Sequence, residues 1–399
     1  MAHSKTPLLT KSYVVNFLIS LLLYLTMYLL IVVITQYTVN QYHVSDSLAG
    51  LVMGLFIVGS LLGRFMIGRF INVIGPKKIL VIGLIAFILT QCLYFFEGSL
   101  IFLMVTRLLN GFALAIATTA TGTIVALISP VERRAEGISL FSLSLVVGAA
   151  VGPFVGLLLS HIYPTVVLFV LCVIIAFIAL FMSFALQIDF TVEPLKAEDK
   201  QFKLSQFVSI PALPIASVIL VCGLGYASVL SFIQIYAETL NLVTVASYYF
   251  IAYAIASVIT RPIVGKIMDR YNENKIAYPA LILFCLSLIA LAVVTTSTGW
   301  LLLISGALLG VGYGSMTAVC NVAAIKVSDK DKMGIATSTF YIGLDFGLGF
   351  GPFALGFLTS TAGFSKMYAV TAFILVLCIG LYWMVHGRHI QARGKKKVL

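Results

Sequence analysis

Twelve apolar stretches, each long enough to cross a bilayer, fill this 399-residue chain and leave little room for anything else. A spanning helix needs about 20 apolar residues to match a hydrocarbon core roughly 30 Å thick. The stretches fall at about 12–36, 48–71, 78–96, 100–127, 137–160, 164–187, 210–236, 244–267, 275–296, 299–326, 333–359 and 365–388. Hydrophobic residues make up 61% of the chain and charged residues 10%, which excludes an ordinary soluble domain. The first stretch is too long for a signal-peptide core and lacks a small-residue cleavage site, so it reads as a span. The fold class is therefore an all-α, polytopic membrane protein.

The formal net charge of +11 points to orientation rather than to a nucleic-acid partner, because of where the charges fall. Lys5 and Lys11 precede span 1, and Arg69, Lys77 and Lys78 lie at the end of span 2. Arg133 and Arg134 follow span 4, and Lys196, Lys200 and Lys203 follow span 6. Further clusters close span 8 (Lys266, Arg270, Lys275), span 10 (Lys326, Lys330, Lys332) and the chain itself (Arg388, Arg393, Lys395 to Lys397). Only Lys366 falls on the alternate connections. The positive-inside rule then places both termini in the cytoplasm of a multi-pass protein of the cell membrane.

The six cysteines all lie inside spans at no metal-ligand spacing, and the five histidines sit at or beyond span ends. They read as apolar packers and surface groups, with no disulfide framework and no metal site. No Ser-His-Asp set can be assembled, and no Gly-x4-Gly-Lys-Ser/Thr run appears, so enzyme chemistry, direct use of ATP and a bound cofactor are not expected.

The two halves of the chain repeat at an offset of about 197 to 199 residues. Arg64-x3-Gly68-x3-Asn72 ends span 2, and Arg261-x3-Gly265-x3-Asp269 ends span 8. Gly148-x3-Gly152-Pro153-x2-Gly156 in span 5 matches Gly347-x3-Gly351-Pro352-x3-Gly356 in span 11. Charged loops precede both glycine motifs. The expected organisation is a six-helix bundle over 1–187, a cytoplasmic linker over 188–207, a second six-helix bundle over 208–388 and a basic tail over 389–399. Two such bundles suggest a binding site at their interface, opened alternately by rocking.

These residues resemble the major facilitator superfamily over essentially the whole chain. The run GRFINVIGPKK, Gly68 to Lys78, is similar to that family's hallmark loop after span 2, and GKIMDRYNENK echoes it after span 8. Arg107-x2-Asn110-Gly111 resembles the Arg-x2-Gln-Gly run of proton-driven members. The span-5 glycine-proline motif resembles one associated with exporters of the 12-helix drug/proton antiporter branch. The resemblance implies gating roles for Gly68, Asn72, Gly75, Lys77, Lys78, Asp269 and Arg270. The sequence departs from the pattern at Asn72, where the family carries an acid, and at Val73, where it carries an arginine. In the family that acid faces the positive N-terminal end of span 11, so the first-half gate is expected to be weaker, with Asp269 and Arg270 keeping the charged pair in the second.

Charge buried in a bilayer is expensive, which makes Arg107 and Asp345 the leading candidates for function. Arg64 and Arg261, nearer span ends, are expected to snorkel. Asp345 sits about 18 Å into span 11, on the face opposite Gly343, Gly347 and Gly351 and in line with Tyr341, Ser338 and Thr337. Its functional reading is a carboxyl that cycles a proton or attracts a cationic substrate; the alternative is an acid held permanently between helices. Arg107 either tunes such a carboxyl or satisfies carbonyls within its own bundle.

By the same resemblance, spans 1, 4, 7 and 10 line a central cavity. They offer Asn16, Ser20, Tyr24, Tyr28, Asn110, Tyr226, Gln234, Tyr313, Thr317 and Asn321, with Tyr341 from span 11. Aromatic and amide groups on an apolar wall suit amphipathic or aromatic compounds, and a cavity this poor in charge argues against strongly anionic ones but not against neutral sugars. Interhelical hydrogen bonding is the alternative for any one of them. Gly148, Gly152, Pro153 and Gly156 read either as a seal between the bundles or as small-residue packing. The expected function is proton-coupled export of small amphipathic molecules, with protons and a small molecule as partners and one chain sufficing. Transport of a specific metabolite and a non-transporting receptor remain open.

Overall fold

The computed structural model describes residues 7–44, 46–96, 98–188, 207–246, 248–329 and 332–390. Every element in it is helical. In hydrocarbon a backbone must satisfy its own N–H and C=O groups, and a helix does so within one segment. The α-helices are α1 (Lys11–Tyr42), α2 (Asp46–Ile74), α3 (Pro76–Cys92), α4 (Leu100–Ile128), α5 (Arg134–Phe141), α6 (Leu143–Ile162) and α7 (Thr165–Phe184). After the linker come α8 (Leu213–Thr239), the short α9 (Val243–Ala246), α10 (Tyr249–Arg270), α11 (Asn274–Ala292), α12 (Trp300–Lys326), α13 (Met333–Ala362) and α14 (Phe364–Tyr382).

Twelve of the segments are long and apolar enough to span a membrane. Their starts are locally encoded: Thr10 and Ser99 accept from the N–H groups of Tyr13 and Phe102, and Pro76 opens α3 where no donor is needed. Large apolar side chains cover the outside, with Phe353, Phe357 and Phe181 at 79%, 77% and 70% exposure. Polar side chains such as Asn16, Thr121 and Ser144 lie inside. That inversion of the usual pattern is what lipid as solvent demands.

Span 5 differs from its sequence expectation. It begins several residues earlier, in α5, and breaks at Ser142 before α6. The Ser142 hydroxyl donates to the Ser139 carbonyl, a local bond that competes with the helix ladder.

Two compact units result. The first holds the described residues of Met1–Val131, Ser144–Ser209 and Asp329–Thr339; the second holds those of Glu132–Leu143, Ile210–Ser328 and Phe340–Leu399. The opening turns of spans 5 and 11 are thus each grouped with helices of the other half of the sequence. Most of the linker expected over 188–207, and the tail beyond Ile390, lie outside the described residues.

Close approach governs packing within each unit. In the first, Gly148 and Gly152 of α6 lie against Tyr24 and Tyr28 of α1, where an added methyl would sit 2.7 Å from either Cβ. In the second, Gly343 and Gly347 of α13 lie against backbone of α8 at Ala216 and Leu220. The span-5 motif, read as a seal between bundles or as packing, therefore makes its contacts inside one unit.

A candidate transport site

The two units carry the same polar arrangement. In the first, Arg64 of α2 donates from Nη1 to the hydroxyls of Thr118 and Thr119 on α4, and Ser338 donates to the Arg64 carbonyl. In the second, Arg261 of α10 donates from Nη2 to Thr317 on α12 at 3.0 Å, and Ser139 donates to the Arg261 carbonyl at 2.8 Å. The expectation that both arginines snorkel is corrected here. Both are buried, Arg261 to 1% exposure, because threonines one helix away accept from them inside the protein.

Around Arg261 the second unit assembles aromatic and polar groups. Tyr253, Ser257 and Arg261 follow one another at four-residue intervals along one face of α10. Tyr313, Thr317 and Asn321 do the same on α12. Tyr226 of α8 bridges the two stripes, stacked on Tyr313 at 4.2 Å and lying 5.8 Å from Tyr253. Of the expected substrate-binding residues, Tyr226, Tyr313, Thr317 and Asn321 are therefore brought together. Gln234 is exposed farther along α8 and does not join them. Sequence reading missed Tyr253, Ser257 and Arg261, although their four-residue spacing and the Arg64–Arg261 repeat were both available as signals.

In the first unit the expected residues are spread among helix contacts. The Asn16 amide donates to the Thr121 carbonyl, Ser20 shares a bond with Ser144, and Asn110 donates to Thr90. Tyr24 and Tyr28 are buried on the α1–α6 seam. Arg107 donates from Nη1 to the Tyr94 hydroxyl at 3.2 Å, with the Phe56 ring 5.2 Å from its guanidinium. Its Nε and Nη2 have no hydrogen-bond partner among the described residues.

Asp345 lies half-buried on α13, turned from the glycine seam as the spacing predicts. The polar line expected beside it divides. Ser338 and Thr337 are buried and donate to the carbonyls of Arg64 and Met333, while Tyr341 is buried against Phe340.

Among the expected gating residues, Asp269 has a defined pair of partners. Its two carboxylate oxygens accept from the N–H groups of Ala135 and Glu136, at 2.9 Å each. These are orphan donors in the first turn of α5, where a negative charge also meets the helix dipole. Gly265, one turn earlier, lets α10 approach so closely that an added methyl would lie 2.5 Å from the Glu136 Cα. Arg270 and Lys78 are exposed. Lys77 donates to the Leu186 carbonyl, and Gly75 adopts a φ of 93° that turns the chain between α2 and α3. In the first unit the Phe207 carbonyl lies against Gly68, and the Phe207 ring stacks on Phe65 at 5.0 Å. The side chain of Asn72 lies outside the described residues.

Comparison with known proteins agrees with this architecture. A family model described as the Major Facilitator Superfamily matches residues 17–298 and 215–398. An uncharacterised MFS-type transporter of Methanocaldococcus jannaschii is 22% identical over 83% of this chain and 87% of its own length. The staphylopine export protein of Staphylococcus aureus is 25% identical over 84% of this chain and 86% of its own. Among solved structures, a human organic anion transporter superposes with a TM-score of 0.77 at 14% identity, covering 94% of this chain and all of that one. The chain belongs to the major facilitator superfamily of transporters.

Proposed function

We propose that this protein is a proton-coupled exporter of small amphipathic molecules, working by alternating access between two six-helix bundles, 1–187 and 208–388. The observation that carries the reading is Asp345, among the described residues the one carboxylate in the interior of a long membrane-spanning helix, half-buried and turned from the α8 seam. The charged and neutral forms of a carboxyl in such a place interact differently with its surroundings, so its protonation can bias one conformation over another. Arg107 holds a fixed positive charge in the first unit. The Tyr226–Tyr313 stack offers an aromatic wall to substrate. Export is supported by the resemblance of the span-5 motif to that of exporters, and by a relative named for exporting staphylopine. The charge pattern supports a cell-membrane location with both termini cytoplasmic. Coupling by protons, a monomeric state and gating by Asp269 belong to the same proposal.

The test is reconstitution in liposomes with a pH-sensitive dye inside and an imposed proton gradient. A cationic dye, a neutral aromatic antibiotic, an aromatic carboxylate and a sugar are offered in turn. Substrate-dependent proton flux is expected in the wild type and its loss in Asp345→Asn. Flux retained in that variant removes Asp345 from the mechanism. Substrate movement indifferent to the gradient makes the protein a facilitator.

Export of one specific metabolite is a second reading, favoured by the relative named for staphylopine rather than for many drugs. A single saturable substrate in the same assay would select it.

A further inference from the structure

We propose that Arg261 is a substrate-binding residue that takes a carboxylate, so that the transported compound is an aromatic or amphipathic organic acid. This deepens the transport reading and rests on it. Arg261 is 1% exposed inside the second unit, and its guanidinium keeps its charge. Of its donors, those on Nη2 reach Thr317, whereas Nε and Nη1 have no hydrogen-bond partner among the described residues. No carboxylate among those residues pairs with it. Buried arginines are normally held by an acid or by a full set of acceptors, since an uncompensated guanidinium in low dielectric is costly.

The surroundings say what could complete it. Tyr313 lies one turn from Thr317, the residue to which Arg261 donates, and Tyr226 stacks on Tyr313 at 4.2 Å. Ser257, one turn from Arg261 on α10, donates its hydroxyl hydrogen to the Gly310 carbonyl at 2.9 Å. Asn321, one turn from Thr317, is buried with Oδ1 unpartnered. A cation with donors to spare, in a unit whose tyrosines stack one turn from its Thr317 partner, matches an aromatic carboxylate: the anion would meet the guanidinium and the ring the tyrosines. This reverses the expectation from sequence that the site disfavours anions. That expectation rested on a cavity poor in charge, with Arg261 not counted among its lining residues.

The experiment is equilibrium dialysis of the purified full-length chain in neutral detergent. Three probes of matched size are used: 1-naphthoate, 1-naphthamide and 1-naphthylmethylammonium. Naphthoate is expected to bind at least about tenfold more tightly than the amide, the scale of one charge-assisted hydrogen bond. The cation is expected to bind most weakly. In Arg261→Gln the ratio should fall to about one, through loss of naphthoate affinity. If Arg261→Gln yields no folded protein, Arg261→Lys decides, because it keeps the charge and loses the planar fork; its ratio should fall below the wild type's. Naphthoate binding no tighter than the amide in the wild type overturns the proposal. So does a wild-type ratio surviving in whichever variant folds. No gradient is present, so proton coupling and export can fail in the liposome assay while this stands, or the reverse.

Discussion

At the scale of single residues, the informative side chains are those whose burial contradicts their charge. Arg107 and Arg261 differ in how plainly the sequence marks them. Arg107 stood out because it interrupts an apolar run far from a span end. Arg261 did not, because a basic residue near a span end is normally solvated at the interface. What distinguishes it is the direction of its side chain, set by Thr317 on a helix more than 50 residues away in sequence. Arg107 leans on Tyr94, its one hydrogen-bond acceptor among the described residues. Replacing Tyr94 by Phe removes that acceptor and leaves the guanidinium held by ring faces alone. A loss of about 1–3 kcal/mol is expected, read as a lower unfolding temperature in detergent. An unchanged melting temperature would mean that Arg107 is satisfied elsewhere.

At the scale of elements, the helices follow directly from apolar runs and their caps, and the exceptions have local causes. Span 5 begins early and breaks at Ser142, where side chain and backbone compete for the same carbonyls. The glycine motifs were legible as packing devices, but their partners were not. Spacing says that a face is smooth; it does not say which helix comes to it. Substitution separates the positions. Gly152→Val would drive a branched side chain into Tyr28 and the α1 backbone, and is expected to cost several kcal/mol, roughly the range of severe overpacking, read as loss of monodisperse protein. Gly356→Ala meets nothing nearer than the Phe232 ring at 3.7 Å and should express and melt like the wild type. Equal behaviour of the two variants would refute the seam.

At the scale of the whole molecule, the repeat is chemical as well as sequential. Each unit holds a buried arginine against threonine, with a serine from a span-opening turn bonded to that arginine's carbonyl. The second unit adds Asp269 on the first turn of α5. Asp269→Ala should free two amide donors at a cost of about 1–2 kcal/mol. Hydrogen–deuterium exchange is the measure: protection over α5 is expected to fall roughly tenfold. Unaltered exchange there would deny the carboxylate any role in holding that turn.

The sequence by itself determined the membrane class, the twelve spans, the internal repeat and the family. Each depends on composition or spacing along the chain, and the bilayer acts on those directly through hydrocarbon thickness and the cost of unpaired backbone. Tertiary structure decided which polar residues meet. Asn16 and Ser20, candidate cavity groups by sequence, are engaged in bonds between helices, whereas Arg261, which the sequence places near a span end, turns inward to Thr317. A polar residue in a membrane helix must find a partner, and which partner it finds depends on helix rotation and neighbour. Those are fixed by close packing at glycines such as Gly152 and Gly347, over contacts that no local stretch of sequence contains.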